Sequence, residues 1–221
     1  MLKIDKTVLP SPHQWGIIIE GMRNPMNSWD KSDSTIECGE MKIGGSDKNL
    51  MRKLCGAGRD HRKFMRMIPV WVTITAPIYW WKQFDTYKIG TVASSCSTMH
   101  KIHNKPITVD DFSIDNVDLG DITLLDCFIN VVADCETLRQ KYTTAVKAGD
   151  TAAWDYWRGL IQLLPSSYNQ MRTQLLNYEV LRNIYRSRKN HKLDEWHTFC
   201  DWIETLPYSE LITGSGNDEQ S

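Results

Sequence analysis

The sequence predicts a protein of the mixed α and β class (α/β, of the α+β type), on three observations. Ile68 to Ile74 (IPVWVTI) is rich in β-branched residues, as central strands are. Leu124 to Ala148 carries apolar residues at helical spacing. The chain has 221 residues, 41% of them hydrophobic, which is enough for one large core. We therefore expect a single domain over residues 1–212 and a disordered tail over residues 213–221.

The other segments predict further elements along the chain. We expect a first strand, a short helix capped by Ser46-Asp47, a helix after Pro77, and an irregular acidic stretch over residues 104–120. Three more helices follow, one capped by Asp150 or Thr151, one over about residues 167–187 and one over about residues 193–205. The first strand is predicted over His13 to Met22, because Ile17 to Ile19 form an apolar, β-branched run.

Charge and cysteine content exclude several classes of function. The formal net charge of -1 argues against binding of a nucleic-acid backbone by the whole surface. The six cysteines form no Cys-x-x-Cys pair, which disfavours a structural zinc site. With no signal sequence, we expect reduced thiols and a cytoplasmic location. No apolar run approaches the ~18 residues that a membrane span needs.

Two candidate sites for chemistry are weak on inspection. His100 and His103 stand at i and i+3 and could share a face, but the adjacent glutamate of zinc-peptidase motifs is missing, so we expect no metal. Cys96 (SSCSTMH) could act as a nucleophile if a cation lowered its pKa, and Lys88, His100 and Lys101 are near in sequence. No catalytic residue is assigned.

A third candidate is an anion or nucleotide pocket. Gly90 to Thr98 is a run of small and hydroxyl-bearing residues, which lets backbone N–H groups approach a phosphate closely. Lys88 precedes the run, and Arg172, Arg182, Arg186 and Arg188 supply charge later in the chain. The spacing is not that of a Walker loop, and a plain turn or helix start explains the hydroxyl run equally well.

The fourth candidate is a nucleic-acid surface on Arg182 to Lys192 (RNIYRSRKNHK). Tyr185 and the arginines could stack on bases and pair with phosphates. A solvated helix end is the more common meaning of such a run, so we do not expect nucleic-acid binding.

The most informative segment is Leu164 to Arg188. It begins with a Leu-Pro break and places Asn177, Asn183 and Arg188 at near-helical spacing. A surface helix does not need amides on one stripe, and apolar packing disfavours them, so these three polar groups favour a ligand site, with plain helix packing and surface charge as the alternative.

Together with Trp80 to Met99, this segment resembles the flavin-dependent thymidylate synthases. That family follows a Gln with Arg-His-Arg-x-x-Ser-x-x-x-x-Ser-x-Arg-Tyr, and later has Leu-Pro, Asn-x-Arg and a Leu-Arg ending. Here Gln83 matches the glutamine, Leu164-Pro165 is followed by Asn177 at the family distance, and Asn183 and Arg188 fall on family positions. The resemblance implies a twisted, mainly antiparallel sheet wrapped by helices. It also implies a homotetramer with ligands at subunit junctions.

The family's signature is altered at several positions. The Arg-His-Arg triplet reads Thr86-Tyr87-Lys88, and the Arg of Asn-x-Arg reads Glu179. Further along, the first serine reads Thr91, the Glu before the second serine reads Ser94, that serine reads Cys96, and Arg-Tyr reads Thr98-Met99. Each lost charge-assisted contact removes about 1.5–3 kcal/mol, so losing several would weaken phosphate affinity by orders of magnitude.

The resemblance therefore implies an altered nucleotide site. It implies nucleotide contacts from Gln83, Lys88, Thr91, Ser94, Cys96 and Arg188, and FAD contacts from Asn177 and Asn183. The family reaction is reductive methylation of dUMP to dTMP with reduced flavin as hydride source, and the missing cations argue against it here. We expect a protein that binds a nucleotide or flavin in an inter-subunit cleft. The alternative is a non-catalytic module that sequesters a nucleotide or binds a protein, of the kind that phages encode.

Overall fold

Helices and strands alternate irregularly along the chain, in a computed structural model that describes residues 1–117 and 122–214. The strands are β1 Lys3–Val8, β2 Thr35–Glu37, β3 Glu40–Lys42, β4 Pro69–Pro77, β5 Val92–Ser95 and β6 Asn169–Asn177. The helices are α1 Pro12–Arg23, α2 Gly45–Gly56, α3 Ile78–Phe84, α4 Ile122–Ala148, α5 Ala153–Leu163, α6 Tyr178–Arg188, α7 Asp194–Glu204 and α8 Glu210–Thr213. The predicted mixed class is confirmed.

The main sheet has the strand order β1-β4-β6-β5, and β2 and β3 form a separate antiparallel pair. Strands β4 and β6 are antiparallel, with Thr73 opposite Thr173 and their Oγ1 atoms 3.0 Å apart. Ile68 lies five residues before Thr73, and Tyr178 lies five residues after Thr173. The Tyr178 N–H donates to the Ile68 carbonyl at 3.1 Å, as this antiparallel register requires. The two central strands therefore share one register along their length.

The predicted central strand is confirmed as β4. Val70, Val72, Ile74 and Ala76 are buried, and the alternation places Trp71 on the other face. The helix predicted after Pro77 is α3, whose Trp80 and Trp81 are fully buried. The helices predicted over residues 124–148 and 193–205 are also confirmed, as α4 and α7.

The strand predicted over His13 to Met22 is wrong, because this segment forms α1. Ser11 accepts a hydrogen bond from the Gln14 N–H while the Gln14 side chain accepts from the Ser11 N–H, and Pro12 fills the first helical position. This capping box, with apolar residues at helical spacing up to Met22, outweighs the strand preference of the Ile17 to Ile19 run.

The helix predicted over residues 167–187 is wrong in its first half. Asn169–Asn177 is strand β6, in which Gln170, Gln174 and Leu176 alternate inward, and the helix begins only at Tyr178. The Asn177 side-chain oxygen accepts from the Val180 N–H at 3.0 Å and so caps α6. Asn177 therefore does not belong to a helical stripe with Asn183 and Arg188.

Smaller corrections concern two helix starts and the tail. Helix α2 begins at Gly45 with Gly44 as N-cap, and Asp47 is instead buried in an ion pair with Arg23. Helix α5 begins at Ala153, and Asp150 accepts from the Ala152 N–H at 2.9 Å one turn earlier. The predicted disordered tail lies outside the described residues from residue 215 onward. Residues 118–121, at the end of the acidic stretch and before α4, also lie outside them.

Contacts divide the chain into two compact units. The first unit comprises Met1–Lys3, Ile74–Thr86 and Ser94–Arg172, and the second comprises Ile4–Thr73, Tyr87–Ala93 and Thr173–Ser221. The core of the first unit is built from Ile102, Ile107, Phe112, Val132, Cys135, Leu160 and Tyr168. In the second unit, Met51, Leu181, Ile184, Trp196, Phe199 and Ile203 are fully buried. The single domain over residues 1–212 stays a prediction.

Two searches of the described residues give negative results. None of the helices there combines the length and the apolar character that crossing a membrane requires. Within the same residues, no three histidine, cysteine or acidic side chains are grouped so as to hold a metal ion.

Candidate functional site

The predicted site residues fall into both units. Gln83, Ser94 and Cys96 belong to the first unit, and Lys88, Thr91, Asn177, Asn183 and Arg188 belong to the second. The two groups are therefore described one at a time.

Cys96 lies at the edge of a cavity of about 520 Å³ in the first unit, which we name the Cys96 pocket. Its wall combines apolar side chains with hydroxyls, amides, two lysines and two aspartates from several segments of the chain. The groups used below are Cys96, Ser97, Thr98, Lys101, Asn169 and Gln170.

Strand β6 holds Cys96 in place through its backbone. The Cys96 N–H donates to the Met171 carbonyl at 2.9 Å, and the Gln170 amide nitrogen donates to the Cys96 carbonyl at 2.7 Å. The Gln170 side-chain oxygen in turn accepts from the Arg172 Nε at 2.9 Å. Because both ends of the Gln170 amide are used, this residue positions the Cys96 turn.

Arg172 is fixed on its other side as well. Its guanidinium lies over the Trp81 ring at 4.4 Å and pairs with Asp85 at 2.8 Å. The sequence marked Arg172 as a source of charge, but the structure uses that charge within the first unit. Gln170 was missed, because the inward positions of β6 are occupied by polar residues and the segment was not predicted as a strand.

The cations of the Cys96 pocket differ in their surroundings. Lys105 is paired with Asp111, and this hydrogen bond raises the pKa of the lysine. Lys101 is exposed where it borders the cavity. Burial raises the pKa of Tyr168, so its hydroxyl stays protonated at neutral pH. Asp110 and Asp111 line the same cavity, so the pocket offers a ligand the exposed Lys101 and several hydroxyl groups within a wall that also carries carboxylates.

In the second unit, Arg188 meets the segment that replaces the family's basic triplet. Its Nε donates to the Tyr87 hydroxyl at 2.9 Å. The guanidinium also lies over the rings of Tyr87 and Trp196, at 5.6 Å and 5.0 Å. The two segments are thus in contact, and the binding role of Arg188 stays a prediction.

Asn177 meets the same segment at Gly90. The Asn177 amide nitrogen donates to the Gly90 carbonyl at 3.3 Å, and Gly90 has a positive φ of 77°. A Cβ at this position would lie 3.1 Å from that amide nitrogen, so glycine is needed for both conformation and space. The Thr91 hydroxyl donates to the Tyr87 carbonyl at 2.9 Å and closes the turn.

The remaining predicted residues have varied surroundings. Lys88, Ser94 and Asn183 are exposed, and Gln83 is half-buried on α3. Their assignment to a ligand site stays a prediction.

Glu179, which the resemblance aligns with a family arginine, is buried. Its Oε2 accepts from the Arg62 Nε at 2.8 Å, and the two side chains are 6% and 13% exposed. The other carboxylate oxygen, Oε1, is buried and has no hydrogen-bond partner. A guanidinium is thus present beside this position, but it comes from a different segment and is neutralised by the carboxylate.

The chain has the fold of solved flavin-dependent thymidylate synthases. Thymidylate synthase X of Helicobacter pylori, solved with FAD and dUMP, superposes with a TM-score of 0.65 at 16% identity, covering 96% of this chain and 96% of that chain. The UMP/dUMP methylase PolB of Streptomyces cacaoi, bound to 5-Br dUMP, gives a TM-score of 0.58 at 14% identity, covering 98% and 95%. No protein family and no curated protein matches by sequence. The predicted fold is confirmed.

Proposed function

We propose that this protein binds a nucleotide in the Cys96 pocket, as a thymidylate synthase-like protein whose ligand contacts have been replaced. The observation that carries the proposal is that Ser97, Thr98, Lys101 and Asn169 line one cavity. A volume of about 520 Å³ is within the range of small-ligand sites. The likeness to proteins solved with dUMP and 5-Br dUMP supports the same ligand class.

Each wall group has a chemistry suited to a nucleotide. Lys101 and the hydroxyls of Ser97 and Thr98 suit a phosphate, because an ammonium pairs with it as a point charge and hydroxyls donate to its oxygens. The Asn169 side-chain oxygen accepts from the Ser113 hydroxyl at 2.8 Å, which leaves its amide nitrogen to donate to a base or sugar.

Asn177 and Glu179, which stand where the resemblance implies flavin and phosphate contacts, are engaged within the protein, whereas Asn183 is exposed. Both ends of the Asn177 amide are used within the protein, on Val180 and Gly90. Glu179 and Arg62 form a buried, mutually neutralised pair where the resemblance implies an arginine, so no unpaired cation remains there for an anionic diphosphate. We therefore derive no flavin-dependent methylation for this chain.

Calorimetry with dUMP, UMP, deoxyuridine and inorganic phosphate tests nucleotide binding. We expect saturable binding of a nucleotide and at least about tenfold weaker binding of the nucleoside, because the phosphate contacts are lost. Lys101→Ala should weaken nucleotide binding by a similar factor. Lys82→Ala, an exposed lysine on α3 in the same unit, is the matched control. Absence of binding across the panel, or equal effects of the two variants, would contradict the proposal.

The buried Glu179 favours the alternative of a protein that holds its ligand without turnover. Purified protein that is colourless, and that gains no flavin absorbance after incubation with FAD, would support it. A yellow protein that reduces its flavin and methylates dUMP would contradict this alternative.

We also propose a homo-oligomer, with a tetramer as the expected state from the family resemblance. Light scattering coupled to size-exclusion chromatography measures the mass directly. A monomer at all concentrations would contradict this proposal without affecting the Cys96 pocket, whose residues all belong to one unit of one chain.

A further inference from the structure

Charge is unevenly distributed along this chain, although the formal net charge is only -1. Residues 52–66 carry six lysines and arginines against one aspartate, whereas residues 106–138 carry eight acidic residues and no lysine, arginine or histidine. The basic segment belongs to the second unit and the acidic segment to the first. Surfaces of opposite charge attract one another and set which partners a protein meets.

The basic surface consists of Arg59, Lys63 and Arg66. All three side chains are exposed, and none forms an ion pair with a residue that the structure describes. The last two stand on a short 3-10 turn, Lys63–Met67, whose second and third residues are buried apolar side chains. The turn is thus anchored in the core and presents its cations to solvent next to Met67, which is 43% exposed.

The acidic surface is the solvent-facing side of helix α4 around Asp126 and Asp134. These two residues and Asn130 follow one another at intervals of four, so they lie along one side of the helix, and all three are exposed. Neither carboxylate forms an ion pair with a described residue. Ile129 is 40% exposed between them, so this side of α4 also shows an apolar group to water.

The two surfaces are complementary in charge and similar in their apolar content. Each presents unpaired charges of one sign together with one partly exposed apolar side chain, Met67 or Ile129. A second copy of this chain fits both, because every copy carries one surface of each kind. A nucleic acid would fit the basic surface but would leave the acidic side of α4 uncovered, since two polyanions repel each other.

We propose that copies of this protein associate through the basic surface of one copy and the acidic surface of another. This inference rests on the proposed homo-oligomer and names the contact that forms it. The opposite charges speed the encounter and fix the register of the two copies. Removal of Met67 and Ile129 from water adds a contribution that does not depend on charge.

Charge reversal tests this contact. One variant, called basic-reversed, carries Lys63→Glu and Arg66→Glu, and the other, called acidic-reversed, carries Asp126→Lys and Asp134→Lys. Each variant brings like charges together at the contact, so we expect its dissociation constant for self-association to rise at least about tenfold. Sedimentation equilibrium of the full-length protein measures this constant, and thermal melts of the same samples show whether the fold is retained.

Mixing the two variants gives the decisive result. In an equimolar mixture, each reversed basic surface can meet a reversed acidic surface, and each unchanged surface can meet an unchanged one. We therefore expect the mixture to associate about as tightly as wild type, although neither variant does so alone. A chain with all four substitutions should self-associate again for the same reason. A defect in folding would not be repaired by mixing.

Control variants change the net charge equally at other exposed positions. Lys82→Glu with Lys192→Glu, and Asp155→Lys with Asp201→Lys, should both associate like wild type. Raising the salt concentration from about 50 mM to about 500 mM should weaken wild-type association at least about tenfold, because salt screens exposed charges.

Several results would overturn the proposal. Wild-type association in either reversed variant would place the interface elsewhere. If both variants are weakened but neither the mixture nor the chain with four substitutions recovers, the two surfaces do not face each other. A monomeric wild type that binds a DNA oligonucleotide, and loses it in the basic-reversed variant, would assign the basic surface to nucleic acid.

Failure of this inference is distinguishable from failure of the proposed function. A monomeric wild type contradicts the homo-oligomer and this contact together, whereas an oligomer that tolerates the reversals contradicts the contact alone. Nucleotide calorimetry on the same samples tests the Cys96 pocket separately, because none of the four substituted residues lines that cavity.

Discussion

At the scale of single residues, the most informative group is the buried carboxylate of Glu179. A buried carboxylate next to a guanidinium is stable only as a pair, because each partner has lost its hydration. Arg62 provides that partner, with its Nε 2.8 Å from the carboxylate. The burial of the Glu179 carboxylate thus depends on Arg62, which is far away in the sequence.

Removing one partner of this pair should destabilise the protein strongly. Arg62→Ala leaves the Glu179 carboxylate buried and unpaired, and we expect the free energy of unfolding to fall by about 3 kcal/mol in urea denaturation. The double variant with Glu179→Leu should recover much of that loss. Arg59→Ala, an exposed arginine of the same loop, is the control and should change stability by less than about 0.5 kcal/mol. A loss for Arg62→Ala as small as for this control would show that the pair is not formed.

Arg188 carries a second prediction at this scale. A nucleotide contact from an otherwise unpaired Arg188 would mean that Arg188→Ala abolishes binding at little cost in stability, but the contacts with Tyr87 and Trp196 argue for a loss of about 2 kcal/mol. Tyr87→Phe removes only the hydroxyl and should cost about 1 kcal/mol. Thermal melts and nucleotide calorimetry on the same samples measure the two effects separately, with the exposed Lys192→Ala as control. If Arg188→Ala destabilises the protein but leaves nucleotide affinity unchanged, Arg188 is structural.

At the scale of elements, helix α4 holds a segment that lines the Cys96 pocket. The Glu136 carboxylate accepts from the Ile107 N–H at 2.9 Å, and Arg139 donates to the His103 carbonyl at 3.1 Å. Glu136 and Arg139 are themselves paired at 2.7 Å. Hydrogen bonding to Arg139 is the main reason that the pKa of Glu136 is lowered to about 2.

This lowered pKa predicts an acid-dependent loss of stability. The stabilisation from ionised Glu136 is fully present above its unfolded pKa near 4.5 and is lost as the pH falls toward about 2. Wild type should therefore lose up to about 3 kcal/mol more than Glu136→Gln between neutral pH and strong acid. Urea denaturation at several pH values measures the difference, and Glu40→Gln on the exposed strand β3 serves as control. Parallel stability curves for wild type and Glu136→Gln would contradict the role of this carboxylate.

At the scale of the whole molecule, similarity in fold persists without similarity in sequence. Only 16% of residues are identical to the thymidylate synthase from Helicobacter pylori, yet the superposition covers 96% of each chain. A fold requires apolar residues of suitable volume at the buried positions and tolerates many combinations of them. A ligand contact, in contrast, needs a particular functional group at a particular position. Two proteins can therefore share a fold and still differ in the ligands that they bind.

The cysteines provide a prediction at this scale. All six are free thiols, with Cys38, Cys96 and Cys127 exposed and Cys55, Cys135 and Cys200 buried. Burial raises the pKa of Cys135 and of Cys200 to about 11, which also suppresses their thiolates. A thiol reagent at mildly alkaline pH should therefore modify three cysteines quickly and the other three only after unfolding. Cys96→Ser should reduce the fast group by one, and a bound nucleotide should slow the reaction at Cys96. Six fast thiols would contradict the described packing.

Two junctions show where prediction from the sequence succeeds and where it fails. Strand β4 passes directly into α3 and strand β6 directly into α6. The first junction was predicted because Pro77 follows the β-branched run of β4. Proline has no N–H with which to donate a hydrogen bond to a neighbouring strand. The second was missed because β6 contains Gln170, Arg172 and Gln174, whose inward polar groups hide the alternation expected of a strand.

The sequence by itself determined the mixed class, the long α4 helix, the central strand and the fold family, because these depend on periodicity and on spacing between motifs along the chain. It also located the segments around Tyr87 and Arg188 that come together in the second unit. Only the tertiary structure decided which charges are neutralised, since the partners of Glu179, Arg172 and Lys105 are set by packing rather than by neighbouring residues. Cavities, too, are decided only by the tertiary structure, because a cavity forms where separate segments of the chain meet in space.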